Sequence, residues 1–427
     1  MRLFGSSGIR AIVDRWLLEL ALKLGLSLGV DYKSVVVGCD TRTSSQALKY
    51  ALISGLLASG AKCVDAGLLP TPTLALVAKE FEAGVMVTAS HNPPEYNGLK
   101  LLNSDGSAFN IIQQQELERQ LSSKTLNSAS WSEMGKVSFY PESIAKHVSR
   151  IIEDFPHRIK ARVVVDCGCG AGSVVTPYLL KKLGCEVIAL NSHPSGFFPR
   201  GIEPVEENLF HLAKATKEFG AHLGIAHDGD ADRMMLIDEG GRFIPGDKLL
   251  GIFASELGAR EVVTTLDASM GLEEMGFKLR RTKVGDSYVS AELEKGGDFG
   301  GEPSGSFIFP RVSLCPDGIY AAAMAAAIAS RVKLSELAQS IPTYPMRRGS
   351  ISTKGVKIEQ LRRKLEALKP LSIDNTDGLR LAFEDGWLLV RASGTEPKIR
   401  LSVEARSVER LNELYESALK MVREEVG

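Results

Sequence analysis

Four short stretches of the 427-residue chain hold side chains that can do chemistry. The first is Thr88-Ala89-Ser90-His91-Asn92-Pro93-Pro94, which ends an apolar run from Gly84 to Val87. Two prolines and an asparagine cannot continue a central strand, so the backbone turns and presents Ser90 in an exposed loop. Taken alone, a serine beside a histidine reads more readily as a polar turn than as a nucleophile. The second stretch, Asp228-Gly229-Asp230-Ala231-Asp232-Arg233, sets three carboxylates at alternate positions. Hard cations such as Mg²⁺ and Ca²⁺ take oxygen ligands, and carboxylates this close repel one another without one. An EF-hand competes, since Asp228, Asp230, Asp232 and Glu239 fall at its ligand positions, but Arg233 stands where that loop needs glycine. Gly301-Glu302-Pro303-Ser304-Gly305 offers a carboxylate and a hydroxyl, the acceptors and donors a polyol needs. Arg391-Ala392-Ser393-Gly394-Thr395-Glu396-Pro397-Lys398 gathers hydroxyls, turn N–H groups and the charges of Arg391, Lys398 and Arg400. That composition suits a phosphate dianion, although by itself it also describes a charged hairpin turn.

Apolar runs and helical periodicities carry these stretches. Ser34–Cys39, Cys63–Leu69 and Gly84–Val87 read as strands, and Leu17–Leu28 and Ser44–Ala58 as helices, so residues 1–140 form one α/β unit with a mainly parallel sheet. Ligands in such sheets gather at the carboxyl ends of strands, where Ser90 falls. Residues 141–240 form a second unit, with strands Arg162–Asp166, Glu186–Leu190 and His222–Ala226, the last leading into Asp228. Residues 241–345 form a third, with a strand over Glu261–Leu266, the turn Thr282–Asp286 and an Ala-rich helix over Asp317–Arg331. Residues 346–427 differ: strands Leu379–Phe383 and Trp387–Arg391 follow one another around a tight turn, which points to an antiparallel α+β unit. No internal sequence repeat is visible. The glycines at 168, 170 and 172 lack the spacing of a dinucleotide fingerprint, and the next strand runs into Asn191 rather than an acid.

Composition narrows the function class. With 51 basic and 52 acidic residues the net charge is −1, which gives no electrostatic support for nucleic-acid or membrane-surface binding. Asp14, Arg15 and Glu19 interrupt the N-terminal apolar run, so no secretion signal is expected. The six cysteines are isolated apart from Cys167 and Cys169, which lack a second ligand pair, and free thiols in a cytoplasmic protein are expected. His147, His157, His193, His211, His222 and His227 show no ligand spacing.

The Ser90, Asp228, Glu302 and Arg391 stretches, in that order, resemble the four loops of the α-D-phosphohexomutases, and Leu3-Phe4-Gly5-Ser6-Ser7-Gly8-Ile9-Arg10 resembles that family's opening. The resemblance implies three similar mixed α/β domains plus a C-terminal antiparallel α+β domain around a central cleft. It implies a phosphoserine at Ser90, with Mg²⁺ on Asp228, Asp230, Asp232 and an oxygen of that phosphoserine. Lys100 would be a general acid/base or would neutralise phosphate, with a solvated strand lysine as the bland reading. Arg10 and Arg233 would contact phosphate, Glu302 and Ser304 the sugar hydroxyls, and Arg391, Ser393, Gly394, Thr395 and Lys398 the phosphate that does not react. His91 shapes the loop. Val284-Gly285-Asp286 resembles the branch that works on glucosamine phosphates, whereas Ser306 departs from several relatives that carry histidine there, which leaves the acid/base group open. The implied substrates are small-molecule hexose 6- and 1-phosphates. A serine-based sugar-phosphate phosphatase and a non-catalytic sugar-phosphate binding protein are the readings from other classes. The oligomeric state is not legible.

Overall fold

The computed structural model describes residues 3–5, 8–122, 127–353, 358–392 and 398–426. Its strands form four sheets, one after another along the chain. In the first, Ser34–Cys39, Lys62–Leu68, Ala83–Val87 and Val137–Phe139 run parallel, as apolar runs separated by helices dictate. Val35 and Val37 point into one core with Leu17, Leu24, Leu48 and Leu52, and Val36 into another with Leu74, Val77 and Met86. Period-two alternation therefore buries both faces.

The sheet is mixed rather than mainly parallel. Tyr96–Asn103 returns antiparallel along Ala83–Val87, and Gly8–Ile12 pairs antiparallel with it on the outer side. The sequence hides these strands because Asn97, Lys100 and Arg10 break the apolar pattern. Ser90 thus sits in the turn of a hairpin rather than on a crossover to a helix.

The next two sheets repeat this plan. Arg162–Asp166 pairs parallel with Glu186–Leu190 and Leu223–His227, and Met234–Asp238 returns antiparallel along the latter. Glu261–Thr265 pairs parallel with Lys278–Thr282 and Phe299–Gly301, and Phe307–Ile308 returns antiparallel. In all three sheets the spatial order is antiparallel return, loop-bearing strand, first strand, second strand. The Ser90, Asp228 and Glu302 stretches occupy equivalent hairpin turns. The architectural repeat leaves no sequence repeat, because a buried strand asks only for apolar residues.

The second and third units share one hydrophobic core. The Ala-rich helix Gly318–Ala329 is buried nearly all round, and its small side chains let it pack close against its neighbours. Asp317 caps it by accepting from the N–H groups of Ile319 and Tyr320.

The fourth sheet is antiparallel throughout. On Gly386–Ala392, Leu388 and Val390 face a core with Leu361, Leu411 and Leu414, while Trp387 and Leu389 pack on Leu266 of the third unit. Arg391 shares the Trp387 face by the same alternation. Glu404 fastens the contact: it accepts from Trp387 Nε1 at 2.7 Å, Ser269 Oγ at 2.5 Å and the Met270 N–H at 2.7 Å. Among the described residues no helix is long and apolar enough to cross a membrane.

Candidate active site

Ser90 ends a strand and turns with φ +50°, a left-handed conformation that costs a non-glycine residue about 1–2 kcal/mol. Its N–H donates to Thr88 Oγ1 at 2.9 Å. The residue is 1% exposed, not the open loop its sequence suggests, because the Asp228 turn closes over it. Gly229 makes this approach possible, since a Cβ there would lie 2.6 Å from the Ser90 carbonyl oxygen. The Ser90 hydroxyl donates to Asp228 Oδ2 at 2.7 Å. The glycine turn at 168–172 backs the same loop, with the Ala171 N–H donating to the Gly229 carbonyl at 2.8 Å.

Oxygens of Asp228, Asp230 and Asp232 lie within 4.8 Å of one another, and all three residues are buried. Lys100, on the returning strand of the Ser90 hairpin, donates to Asp230 Oδ2 at 2.9 Å and pairs with Asp232. It is a buried lysine and not a solvated one. Thr71 Oγ1 also donates to Asp230. One ammonium cannot satisfy three carboxylates. Asp230 Oδ1 and Asp232 Oδ1 are buried with no hydrogen-bond partner. Burial, then the charges of Asp232 and Asp230, push the Asp228 carboxyl well up. Burial acts the same way on Asp230, but Lys100 and Thr71 outweigh it and hold that group at about 2. Orphaned, inward-facing oxygens on adjacent acids are the donor set of a hard divalent cation.

Cations ring this centre. Arg10 Nη1 donates to Asn92 Oδ1 at 2.9 Å, and Arg233 Nη1 to Glu203 Oε1 at 2.7 Å. His91 Nδ1 is 3.3 Å from Ser90 Oγ. Burial first, then Arg233, Arg10 and Lys100, drive its pKa well down, so it is neutral.

Glu302 is buried and accepts from the Gly285 N–H at 2.8 Å. Burial, then the Asp286 charge, raise its carboxyl to about 8. Asp286, half-buried in the first turn of the helix Asp286–Leu293, adds its charge at Lys100, Asp232 and Glu302. Ser304 Oγ is turned inward, buried and unpartnered. Ser306 is 2% exposed and bridges through its backbone to Arg233, so it serves to join two units.

Arg391 and Lys398 stand apart from this cluster. With Asp267, Arg348 and Arg400 they line a cavity of about 330 Å³ between the third and fourth units. Ser393, Gly394 and Thr395 lie outside the described residues. Asp377 links the two places: its Oδ2 accepts from the Val284 N–H at 3.1 Å and lies 3.7 Å from Arg391.

Sequence reasoning passed over Thr71, Arg348, Asp40 and Arg42. Asp40-Thr41-Arg42 carried a usable signal, since it brings two charges to the carboxyl end of a fully apolar strand. Thr71 carried none beyond its place at a helix start.

The sequence matches all four domain profiles of phosphoglucomutase/phosphomannomutase in order. These are the alpha/beta/alpha domains I over residues 1–128, II over 139–241 and III over 245–344, and the C-terminal domain over 351–420. The chain belongs to this family. A "probable phosphoglucosamine mutase" of Methanosarcina acetivorans is 49% identical, covering 99% of each chain. One of the same name from Pyrococcus furiosus is 43% identical over 99% of this chain and 98% of its own. In structure, a phosphoglucomutase/phosphomannomutase family protein of Burkholderia thailandensis superposes with a TM-score of 0.89 at 28% identity, covering 99% of this chain and 97% of that one. Each matched phosphoglucomutase/phosphomannomutase region contributes one of the four loops: Ser90 the first, the three aspartates the second, Glu302 the third and Arg391 the fourth.

Proposed function

We propose that the protein is a phosphoglucosamine mutase, which converts glucosamine 6-phosphate to glucosamine 1-phosphate by way of phosphorylated Ser90 and a bound bisphosphate. The observation that carries the mechanism is the Ser90 hydroxyl on Asp228, beside two buried carboxylate oxygens without partners. The choice of sugar rests on the shared name of full-length relatives at 43–49% identity. Phosphomannomutase or phosphoglucomutase activity is the alternative within the family.

In this reading residues 1–140 supply the phosphoryl carrier, 141–240 the metal loop, 241–345 the sugar loop and 346–427 the phosphate clamp. The P–Oγ bond of phosphorylated Ser90 breaks as a P–O bond forms to a sugar hydroxyl oxygen, the hydroxyl losing its proton and Ser90 Oγ gaining one. The bisphosphate then turns so that its other phosphate returns to Ser90 by the reverse step. Arg10, Lys100 and Arg233 surround the transferring group with positive charge, and most catalysis of phosphoryl transfer is positioning and electrostatics of this kind. Burial alone would lower the Lys100 pKa, but Asp230 and Asp232 raise it, so Lys100 keeps its proton and acts as a fixed cation rather than a base. Glu302, raised to about 8, presents a neutral carboxyl to the sugar at pH 7, able both to donate and to accept. Asp228, Asp230, Asp232 and an oxygen on Ser90 would hold Mg²⁺, which when bound neutralises charge on the phosphoryl oxygens. Arg391 and Lys398, with Ser393, Gly394 and Thr395, would hold the phosphate that does not react, with Ser304 and Asp286 on the sugar. The buried thiols agree with a cytoplasmic site of action.

The test is incubation with the 6-phosphates of glucosamine, glucose and mannose, Mg²⁺ and a trace of hexose 1,6-bisphosphate, followed by phosphorus NMR. The 1-phosphate of glucosamine should accumulate fastest. Release of inorganic phosphate without any 1-phosphate would make the protein a phosphatase and overturn the reading.

A further inference from the structure

Arg42 is 3% exposed and takes no part in the chemistry described above. Its guanidinium is devoted to the turn that carries Ser90. Nη2 donates to the carbonyl oxygens of Ser90 at 2.8 Å and Asn92 at 2.6 Å. Nη1 donates to those of Pro93 at 2.7 Å and Tyr96 at 2.8 Å. Nε donates to Asp40 Oδ2 at 3.2 Å. Every donor of the planar fork is used. Asp40 closes a ring, for it also accepts from Thr88 Oγ1 at 2.7 Å, and Thr88 Oγ1 in turn accepts from the Ser90 N–H at 2.9 Å. From the second unit, Phe198 covers the guanidinium at 5.3 Å, and Gly196 lets its loop press on Thr41, where a Cβ would come within 2.1 Å of the carbonyl oxygen.

The turn needs such a partner. Pro93 and Pro94 lack N–H groups, so the turn is short of main-chain donors. Its carbonyl oxygens converge, and their dipoles repel unless a cation receives them. Ser90 is held in a left-handed conformation that nothing in its own side chain favours. A lysine cannot replace Arg42, because a point charge with three donors does not span four carbonyls and a carboxylate.

We infer that Arg42 is a positioning residue for phosphoryl transfer. It gathers the carbonyl oxygens of the 90–96 turn so that Ser90 Oγ is delivered to Asp228, and Phe198 of the second unit seats its guanidinium. The inference rests on the reading of Ser90 as the phosphoryl carrier, but its structural half can be measured without turnover.

The experiment compares Arg42→Lys and Phe198→Leu with the wild-type enzyme by hydrogen exchange of the 88–96 amides, by kcat and KM, and by the rate at which hexose 1,6-bisphosphate phosphorylates Ser90. A misplacement of about 1 Å at a reacting atom costs about 100-fold in rate. Arg42→Lys should therefore lose about 100-fold in kcat and in Ser90 phosphorylation, keep its KM, and exchange faster at 88–96 but not in the Val35–Val37 strand. Phe198→Leu, which loses only a cation–π contact on a half-buried ring, should lose about two- to fivefold in kcat with the same pattern. A folded Arg42→Lys enzyme with wild-type exchange in the turn and wild-type kcat overturns the inference, as does a rise in KM with kcat kept. If Arg42→Lys does not fold, Phe198→Leu decides, and unchanged exchange and kcat in that variant overturn it. If the wild-type enzyme makes no isomer, the proposed function fails, while faster exchange in the turn of either variant still upholds the positioning role.

Discussion

The Ser90 hydroxyl and the Asp228 carboxylate meet at 2.7 Å, although 138 positions separate them in the chain. Two hairpin turns from different units close on each other there, and everything proposed about the chemistry depends on that meeting. If Ser90 is the carrier, intact-protein mass spectrometry will find a phosphate adduct that maps to the peptide containing Ser90. Ser90→Ala should fold normally, since Asp228 keeps the Arg233 N–H as a donor, and should lose nearly all isomer formation. An active Ser90→Ala enzyme, phosphorylated elsewhere, would remove the mechanism.

Asp230 is engaged by Lys100 and Thr71. Asp230→Asn keeps the shape and an acceptor for Thr71 but removes one charge from the cation site. Activity should fall by at least about 100-fold, and half-saturation by Mg²⁺ should move to higher concentration, because ligand charge tunes affinity for hard cations. Metal-free stability should change little, because the weakened Lys100 pair is offset by relief of repulsion among three buried carboxylates. Full activity of the wild-type enzyme in excess chelator would exclude the metal role.

How much of this the sequence disclosed varied with chemistry. The strand Ser34–Cys39 was plain because Val35, Val36 and Val37 must bury on both sheet faces. The strand Tyr96–Asn103 was hidden because Asn97 and Lys100 are buried for their hydrogen bonds and charge, which no hydropathy pattern reports. The three aspartates announced a cation by their spacing. Arg42 signalled only that a charge follows an apolar strand; its partners are main-chain oxygens some fifty positions away, and main-chain oxygens carry no sequence signature. The common core of the second and third units was equally silent. An alanine-rich run says that a helix is buried, but not against which neighbour.

The cavity of about 330 Å³ that Arg391 lines holds, among the described residues, Arg348, Lys398 and Arg400 against one acid, Asp267. A phosphate that does not react makes the same contacts in the ground and transition states, so its binding appears mainly in KM. Losing a charge-assisted contact costs about 1.5–3 kcal/mol, roughly ten- to a hundred-and-fifty-fold. Arg391→Ala should raise KM by about that factor with a smaller fall in kcat, and Lys398→Ala should do so more weakly for want of a bidentate fork. An unchanged KM for every hexose phosphate tested would show that the fourth unit is not the clamp.

Glu302 makes a stability prediction with a definite sign. Its carboxyl, ordinarily near 4.5, is raised to about 8 in the fold by burial and by Asp286. The folded state therefore holds a proton that the unfolded state has lost. Below pH 4.5 the group costs nothing; its penalty grows as pH rises toward 8 and is constant beyond. Glu302→Gln mimics the neutral form. Urea unfolding should give the variant and the wild type similar stabilities at pH 4.5 and an advantage to the variant at pH 8. Parallel stability curves across that range would mean that Glu302 is ionised in the fold.

Lys100 yields the prediction that best separates its two roles. Without metal, its ammonium is the only side-chain cation paired directly with Asp230 and Asp232 among the described residues. Removing one partner of a buried ion pair leaves uncompensated charge and costs about 3–5 kcal/mol. Lys100→Met should therefore be markedly destabilised in chelator. A divalent cation can supply the missing charge to the same oxygens, and binding that favours the folded state raises its stability in proportion to affinity. Added Mg²⁺ should then raise the melting temperature of Lys100→Met by more than it raises that of the wild type. Activity tells the other half: if Lys100 also stabilises the transferring phosphoryl group, the metal-restored variant will be stable but slow in kcat. If the two proteins showed equal Mg²⁺-dependent shifts, Lys100 would not be holding the charge of the cation site, and its pairing with the aspartates would be incidental to the metal.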